Sequence, residues 1–227
     1  MKTNIVWILL CFIFLGVWGC RKEEPANPAE PSASPADVVP SAPVMPALGA
    51  SAPVFRLPDP EGRLVGLDDF PDGRAYVVVF LSNHCPYVKH VRNELAKLVK
   101  EYQAKGVVVI GINSNDVQAV PEDSPAQMAV FAKEAGFTFP YLVDETQEPA
   151  KAYRAVCTPD FFLFDRQKKL VYRGQMDDSR PNSDQPVTGS DLRAALDAVL
   201  KGEPVAAPQK PSVGCSIKWK PGNAPGS

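Results

Sequence analysis

Cys85 is the residue whose type and position most directly suggest chemistry. It follows an apolar run, residues 77–81, that predicts a buried strand. Pro86, directly after it, is a favourable first residue of a helix. Apolar residues then recur at spacings of three and four and predict one helix face: Val88, Val91, Leu95, Leu98 and Tyr102. A thiol at a helix start meets free backbone N–H groups and the positive end of the helix dipole, which favour the thiolate. We therefore predict that Cys85 is a nucleophile, and a buried, unreactive thiol is the ordinary alternative.

Two segments carry a resemblance to a known fold. Residues 77–89 resemble the active-site segment of thioredoxin-fold proteins, with Cys85 in the place of the first cysteine and Val88 in the place of the second. Residues 153–164 resemble the segment in which a cis-proline precedes a central strand, which makes Pro159 that proline. The wider pattern is similar to the peroxiredoxin-like redoxins of the AhpC/TSA type. The resemblance implies an α/β thioredoxin-like fold, a central mixed β-sheet flanked by helices, with an N-terminal β-hairpin extension.

Apolar periodicity and breaker residues predict the other elements independently of that resemblance. The predicted elements are an N-terminal hairpin from residues 54–57 and 64–67, a strand over 107–112, a helix from Ser124-Pro125 to just before Gly136, a short strand within 139–143, a hairpin from 161–164 and 170–174, and a final helix over 190–201 that stops at Gly202. Helices that alternate with strands and are followed by a hairpin and a helix suit a mixed-sheet sandwich.

Three further residues are candidates for assisting Cys85. Cys157, two residues before Pro159, and Cys215, in the tail, are each a possible resolving thiol, or alternatively a structural or inconsequential one. His84 adjoins Cys85 and either stabilises its thiolate or hydrogen-bonds the loop backbone. His90 falls outside the apolar face, which predicts a solvated histidine.

The chain ends predict where the protein works. Residues 1–19 have the apolar character of a secretory signal, and Cys20 follows them in a segment that resembles a bacterial lipoprotein processing site. The alternative is an uncleaved N-terminal anchor. Residues 20–46, rich in proline and alanine, predict an extended linker, residues 47–203 a redoxin domain, and residues 204–227 an extended tail. We expect an extracytoplasmic protein anchored to a bacterial membrane through lipidated Cys20.

Composition and charge exclude some classes of function and leave others open. A formal net charge of −2 argues against a nucleic-acid partner. We expect no metal and no cofactor. A thiol–disulfide oxidoreductase that acts through Cys85 and Pro159 is the preferred interpretation, with a protein or small-molecule disulfide, thiol or peroxide as substrate and an external thiol as reductant. The alternatives are a thiol peroxidase, a copper-binding Sco-like chaperone and a redox-inert binding module.

Overall fold

The computed structural model describes residues 46–226. The strands are β1 Leu57–Pro58, β2 Leu64–Val65, β3 Ala75–Phe80, β4 Val107–Asn113, β5 Tyr141–Val143, β6 Cys157–Thr158, β7 Asp160–Phe164, β8 Leu170–Gly174 and β9 Cys215–Ser216. The α-helices are α1 Pro86–Gln103, α2 Pro125–Ala135, α3 Glu148–Tyr153 and α4 Ser190–Lys201. The predicted signal, Cys20 and nearly all of the predicted linker lie outside the described residues. Within the described part, no helix has the length and apolar content needed to cross a bilayer.

A five-stranded mixed sheet forms the centre of the domain, in the order β5-β4-β3-β7-β8. Strands β3, β4 and β5 run parallel, whereas β7 and β8 run antiparallel to their neighbours. The central strand β3 is buried along its whole length, as its continuous apolar sequence predicts for a strand covered on both faces. This arrangement confirms the expected thioredoxin-like class.

Each face of the sheet has its own apolar core. Alternate residues of β3 point to opposite faces, so Val77 and Val79 pack with α1, α2 and α4. Val78 and Phe80 pack instead with α3 and the N-terminal hairpin. Ile217, from the C-terminal tail, is buried in this second core. The tail is therefore packed into the domain at that residue.

The helix ends follow the sequence signals closely. Helix α2 begins at Pro125 and is followed by Gly136 in a left-handed conformation, and α4 ends at Lys201 before Gly202, also left-handed.

The N-terminal hairpin is confirmed but is shorter than predicted, because only Leu57–Pro58 and Leu64–Val65 pair. The loop between those strands is fixed instead by the Asp59 side chain, which accepts hydrogen bonds from the backbone N–H groups of Glu61 and Arg63.

Candidate active site

Cys85 lies between the end of β3 and the first turn of α1. It is the N-cap residue, in an extended conformation, and Pro86 follows as the first helical residue, as predicted. The Cys85 thiol donates a hydrogen bond to the carbonyl oxygen of Thr158, with 3.0 Å between sulfur and oxygen. Its exposed fraction is 0 %. The reduced site thus holds Cys85 as a buried thiol, fixed to the segment around Pro159.

Val88 occupies the position at which a second loop cysteine would stand. It stands one turn into α1, where a Cys-x-x-Cys motif would place its second cysteine. Its exposed fraction is also 0 %, and it packs in the same apolar core as Cys85. Any resolving thiol of this chain must therefore come from another element.

The segment before Pro159 brings that other element to Cys85. The Thr158–Pro159 peptide bond is cis, which confirms the predicted isomer. The two residues before Pro159 form β6, which pairs antiparallel with β9 of the tail. In this register Thr158 lies opposite Cys215, and Cys157 lies opposite Ser216. Cys215 is thus paired with the residue whose carbonyl receives the Cys85 thiol.

The tail approaches β6 so closely that only glycine fits before Cys215. A Cβ atom at Gly214 would lie 2.0 Å from the Thr158 carbonyl oxygen, far inside any real contact distance. The Ser212 hydroxyl, two residues earlier, donates a 2.7 Å hydrogen bond to Asp160 Oδ1. Beyond Cys215, the Lys218 N–H donates to Asn115 Oδ1 at 2.8 Å. The tail is therefore held on both sides of Cys215.

The Cys215 thiol lies near that of Cys85. Burial, together with the neighbouring Cys85 thiol, raises the pKa of Cys215 to about 11, and the Lys218 ammonium opposes this rise. Cys215 is half-buried and packs against the core that contains Cys85. Cys215 is therefore a resolving candidate that the fold brings beside the Cys85 segment.

Cys157 occupies the other face of the same short strand. Its side chain is buried, with the sulfur 3.8 Å from the carbonyl oxygen of Pro159. Burial, the Asp160 carboxylate and the nearby Cys85 and Cys215 thiols raise the pKa of Cys157 to about 12, against the effect of Arg173. Because successive side chains of a strand point to opposite faces, Cys157 is turned away from the face that Thr158 and Cys215 share. The three cysteines of the described residues are all free thiols.

A buried carboxylate, Asp123, contacts the active-site loop, and no pattern in the sequence pointed to this residue. Its Oδ1 accepts the Asn83 N–H at 2.5 Å, and its Oδ2 accepts from Asn115 Nδ2 at 2.7 Å. The Ser82 hydroxyl donates to the same Oδ2 at 2.9 Å. Burial by itself raises the pKa of Asp123, but hydrogen bonds from Asn115, His84, Asn83 and Ser82 outweigh it and lower the pKa below its ordinary value. Asp123 is therefore a carboxylate anion that fixes the loop before Cys85.

The anion also orients His84. His84 Nδ1 lies 2.9 Å from Asp123 Oδ2 and 2.7 Å from the Ser82 hydroxyl. Since that hydroxyl donates its proton to Asp123, both neighbours of Nδ1 are acceptors, and the network assigns a proton to Nδ1. His84 is thereby tied to the carboxylate.

His90 differs from its prediction. It is half-buried, and its Nε2 lies 2.7 Å from the Ser179 hydroxyl, so the expected solvated position is wrong. The reason is the loop after β8, which folds back over α1 and shares with it a cleft beside Pro159, also lined by Tyr87 and Val213. Asp177 fixes this loop, because its Oδ2 accepts the N–H groups of Thr188 and Gly189.

The arrangement defines a thioredoxin-fold thiol site, with Cys85 at a helix start against the residue that precedes a cis-proline. Residues 48–173 match the AhpC/TSA family, and the chain belongs to that family. Among residues 46–226, no group of three His, Cys, Asp or Glu side chains is placed to hold a metal ion.

Two solved structures and a curated relative are similar to this chain. A hypothetical protein from Sinorhizobium meliloti 1021 is 52 % identical, with a TM-score of 0.76, over 78 % of this chain and 96 % of that one. An uncharacterized conserved protein from Geobacillus kaustophilus is 57 % identical, with the same TM-score, over 78 % and 95 %. The thiol-disulfide oxidoreductase ResA of Geobacillus thermodenitrificans is 29 % identical over 55 % of this chain and 67 % of its own length.

Proposed function

We propose that this protein is a thiol–disulfide oxidoreductase in which Cys85 is the nucleophile and Cys215 is its resolving thiol. The pairing of Cys215 with Thr158, whose carbonyl oxygen accepts the Cys85 thiol at 3.0 Å, is the observation that carries the proposal. The similarity to ResA, which is named a thiol-disulfide oxidoreductase, supports the reaction class.

The proposed reaction needs both thiols in turn. The Cys85 thiolate attacks one sulfur of a substrate disulfide, so that a mixed disulfide forms and the other substrate sulfur leaves as a thiolate. The Cys215 thiolate then attacks the Cys85 sulfur, releases the second substrate thiolate and leaves a Cys85–Cys215 disulfide. Two electrons have passed to the substrate, and an external thiol restores the reduced pair. When the same steps run in reverse, the protein oxidises a dithiol.

The surrounding residues support specific parts of this cycle. The first turn of α1 offers unpaired N–H groups and its positive dipole end to a Cys85 thiolate. His84 and Asp123 act as positioning residues, because their contact fixes the loop from which Cys85 projects. Pro159 holds Thr158 so that its carbonyl faces Cys85.

Mapping of the oxidised protein tests the proposal. Mild oxidation followed by non-reducing peptide mapping should yield one Cys85–Cys215 disulfide in the wild type and in Cys157→Ser. Cys215→Ser should yield only intermolecular adducts or sulfenic acid on Cys85. A Cys85–Cys157 disulfide in the wild type would transfer the resolving role to Cys157, and failure to form any intramolecular disulfide would refute the two-thiol cycle.

A thiol peroxidase is the second candidate, favoured by membership of the AhpC/TSA family. The Cys85 thiolate would take one oxygen from a peroxide and form sulfenic acid, the peroxide leaving as water or an alcohol. Attack by Cys215 would then give the same disulfide and release water. Turnover of hydrogen peroxide with dithiothreitol as reductant, compared with turnover of a peptide disulfide, separates the two activities.

We also propose that the protein is extracytoplasmic and tethered by a lipid on Cys20. The apolar residues 1–19 and the proline-rich segment that follows Cys20 motivate this location. Cys20→Ser should move the protein from the membrane fraction to the soluble extracytoplasmic fraction. Retention of the full-length variant in the membrane would instead identify an uncleaved anchor.

A further inference from the structure

The two thiols of the proposed pair differ in their access to solvent. The exposed fraction of Cys85 is 0 %, whereas Cys215 remains half-buried. Strand β9 fills the edge of β6 at which another extended chain would pair. In the closed domain, Cys215 is therefore the more accessible residue of the two.

Contacts at four residues, Ser212, Gly214, Ile217 and Lys218, keep the tail closed. The Ser212 hydroxyl bonds to Asp160, a carboxylate that is itself buried, and Gly214 touches the Thr158 carbonyl. The Lys218 carbonyl accepts the Asp116 N–H at 2.8 Å and Gln147 Nε2 at 2.9 Å. Ile217 is buried in the core. The closed position thus involves backbone, side-chain and apolar contacts together.

We propose that Cys215 is the sulfur of the oxidised pair that an external thiol attacks, and that this reductant is a low-molecular-mass thiol. The inference rests on the proposed function, since it requires a Cys85–Cys215 disulfide. A small thiol needs only the exposed side of Cys215, whereas a partner that pairs as a strand with Thr158 needs the edge that β9 already occupies.

The chemistry favours the same sulfur. An incoming thiolate that attacks Cys215 forms a mixed disulfide there and breaks the bond to Cys85, which leaves as a thiolate at the start of α1. A second external thiolate attacks the sulfur of the first reductant, forms a small-molecule disulfide and releases Cys215. The Lys218 ammonium, which acts on Cys215, is a favourable neighbour for the approaching anion.

A quenched reaction with glutathione tests the site of attack. The oxidised protein is mixed with glutathione, quenched within seconds in acid, then alkylated with iodoacetamide and mapped. The expected product carries glutathione on Cys215 and the alkyl group on Cys85, in excess over the reverse product by at least about tenfold. An excess of glutathione on Cys85 would overturn the inference. The map before glutathione is added tests the proposed function separately, because it shows whether the Cys85–Cys215 disulfide exists.

Loosening the tail should expose Cys85 and so remove the preference of external reagents for Cys215 over Cys85. Gly214→Ala places a Cβ atom against the Thr158 carbonyl oxygen and must lift the strand. In a Cys215→Ser background, it should speed alkylation of Cys85 by about tenfold or more, because a buried thiol reacts only when it is uncovered. Ser216→Ala, at an exposed position of the same strand, is the matched control and should leave the rate unchanged.

A second variant keeps this test decisive. Ser212→Ala removes only the hydrogen bond to Asp160, so it serves where Gly214→Ala fails to fold. It should raise the Cys85 alkylation rate in the same direction by a smaller factor. Unchanged rates in a folded Gly214→Ala variant, or in Ser212→Ala in its place, would show that the tail does not shield Cys85 and would overturn the inference.

Discussion

Cys157 and Cys215 lie on two strands that are hydrogen-bonded to each other, yet their thiols have different surroundings. Cys215 lies near Cys85 and is half-buried. Cys157 is buried beside Asp160 and Arg173. The antiparallel register pairs Thr158 with Cys215, so Cys157 is offset from Cys215 by one residue. Because a shift of one residue changes the face to which a side chain points, the Cys157 and Cys215 side chains point to opposite faces of the two strands.

In our proposal, closeness in sequence is a poor guide to the resolving thiol. Cys157 is the nearer of the two to Cys85 along the chain and directly precedes the Thr158–Pro159 pair. Cys215 reaches the site only because the tail returns after α4 and pairs with β6. Strand register therefore selects the resolving thiol in our proposal.

The largest expected effect is on stability. A Cys85–Cys215 disulfide closes a loop of about 130 residues, for which the chain-entropy model predicts a gain of about 5 kcal/mol in the free energy of unfolding. Urea unfolding of the oxidised and reduced protein measures this difference. Cys157→Ser should keep the difference and Cys215→Ser should lose it, and the opposite result would reverse the roles of the two thiols.

The catalytic turnover rates of Cys215→Ser and Cys157→Ser should also differ. Cys215→Ser should lower steady-state reduction of a peptide disulfide by about 100-fold or more, because an intramolecular thiol is replaced by an external one. Cys157→Ser should stay within about threefold of the wild type, as expected for a thiol outside the reaction path. A single-turnover measurement should show that Cys215→Ser still forms the first mixed disulfide. Loss of that step as well would mean that Cys215 has a different role.

A cysteine in α1 should partly replace the tail thiol. In the Cys215→Ser background, Val88→Cys should restore turnover by about tenfold, because it places a second thiol one helical turn from Cys85. Val88→Ala in the same background controls for the altered core packing. If a folded, oxidisable Val88→Cys variant stayed as slow as this control, the alignment with a Cys-x-x-Cys loop would be wrong.

A further effect concerns alkaline pH. Cys157 titrates near 9 in the unfolded chain and at about 12 in the folded protein. The folded state therefore keeps a proton that the unfolded state loses, so this contribution to stability is full below about pH 9 and falls as the pH rises toward 12. Cys157→Ala should make the free energy of unfolding fall less steeply above pH 9 than in the wild type. An equal slope in both would show that the Cys157 thiol is not protected from ionisation.

Local signals in the sequence predicted much of the fold and the position of Cys85, the proposed nucleophile. Helix α4 has the predicted bounds because a left-handed glycine, Gly202, ends it. Pro86 and Pro159 are recognisable because proline restricts the backbone at a helix start and permits the cis isomer. Each of these signals lies within a few residues of the feature it predicts.

The remaining parts of the site depend on contacts between distant segments. Asp123 lies in a short 3₁₀ turn, and only the folded chain brings it beneath the loop before Cys85. The pairing of β9 with β6 involves two residues from each strand, too few for apolar alternation to reveal it. The sequence therefore left Cys157 and Cys215 as equal candidates.

The tail can also be regarded as a tethered ligand for the strand edge at Thr158. A short tether gives such a ligand an effective concentration of about a millimolar. A free peptide present at micromolar concentration must therefore bind this edge about a thousandfold more tightly than the tail to compete equally with it. The segment that carries the proposed second thiol would thus also set an affinity threshold, below which extended polypeptides are excluded from the site.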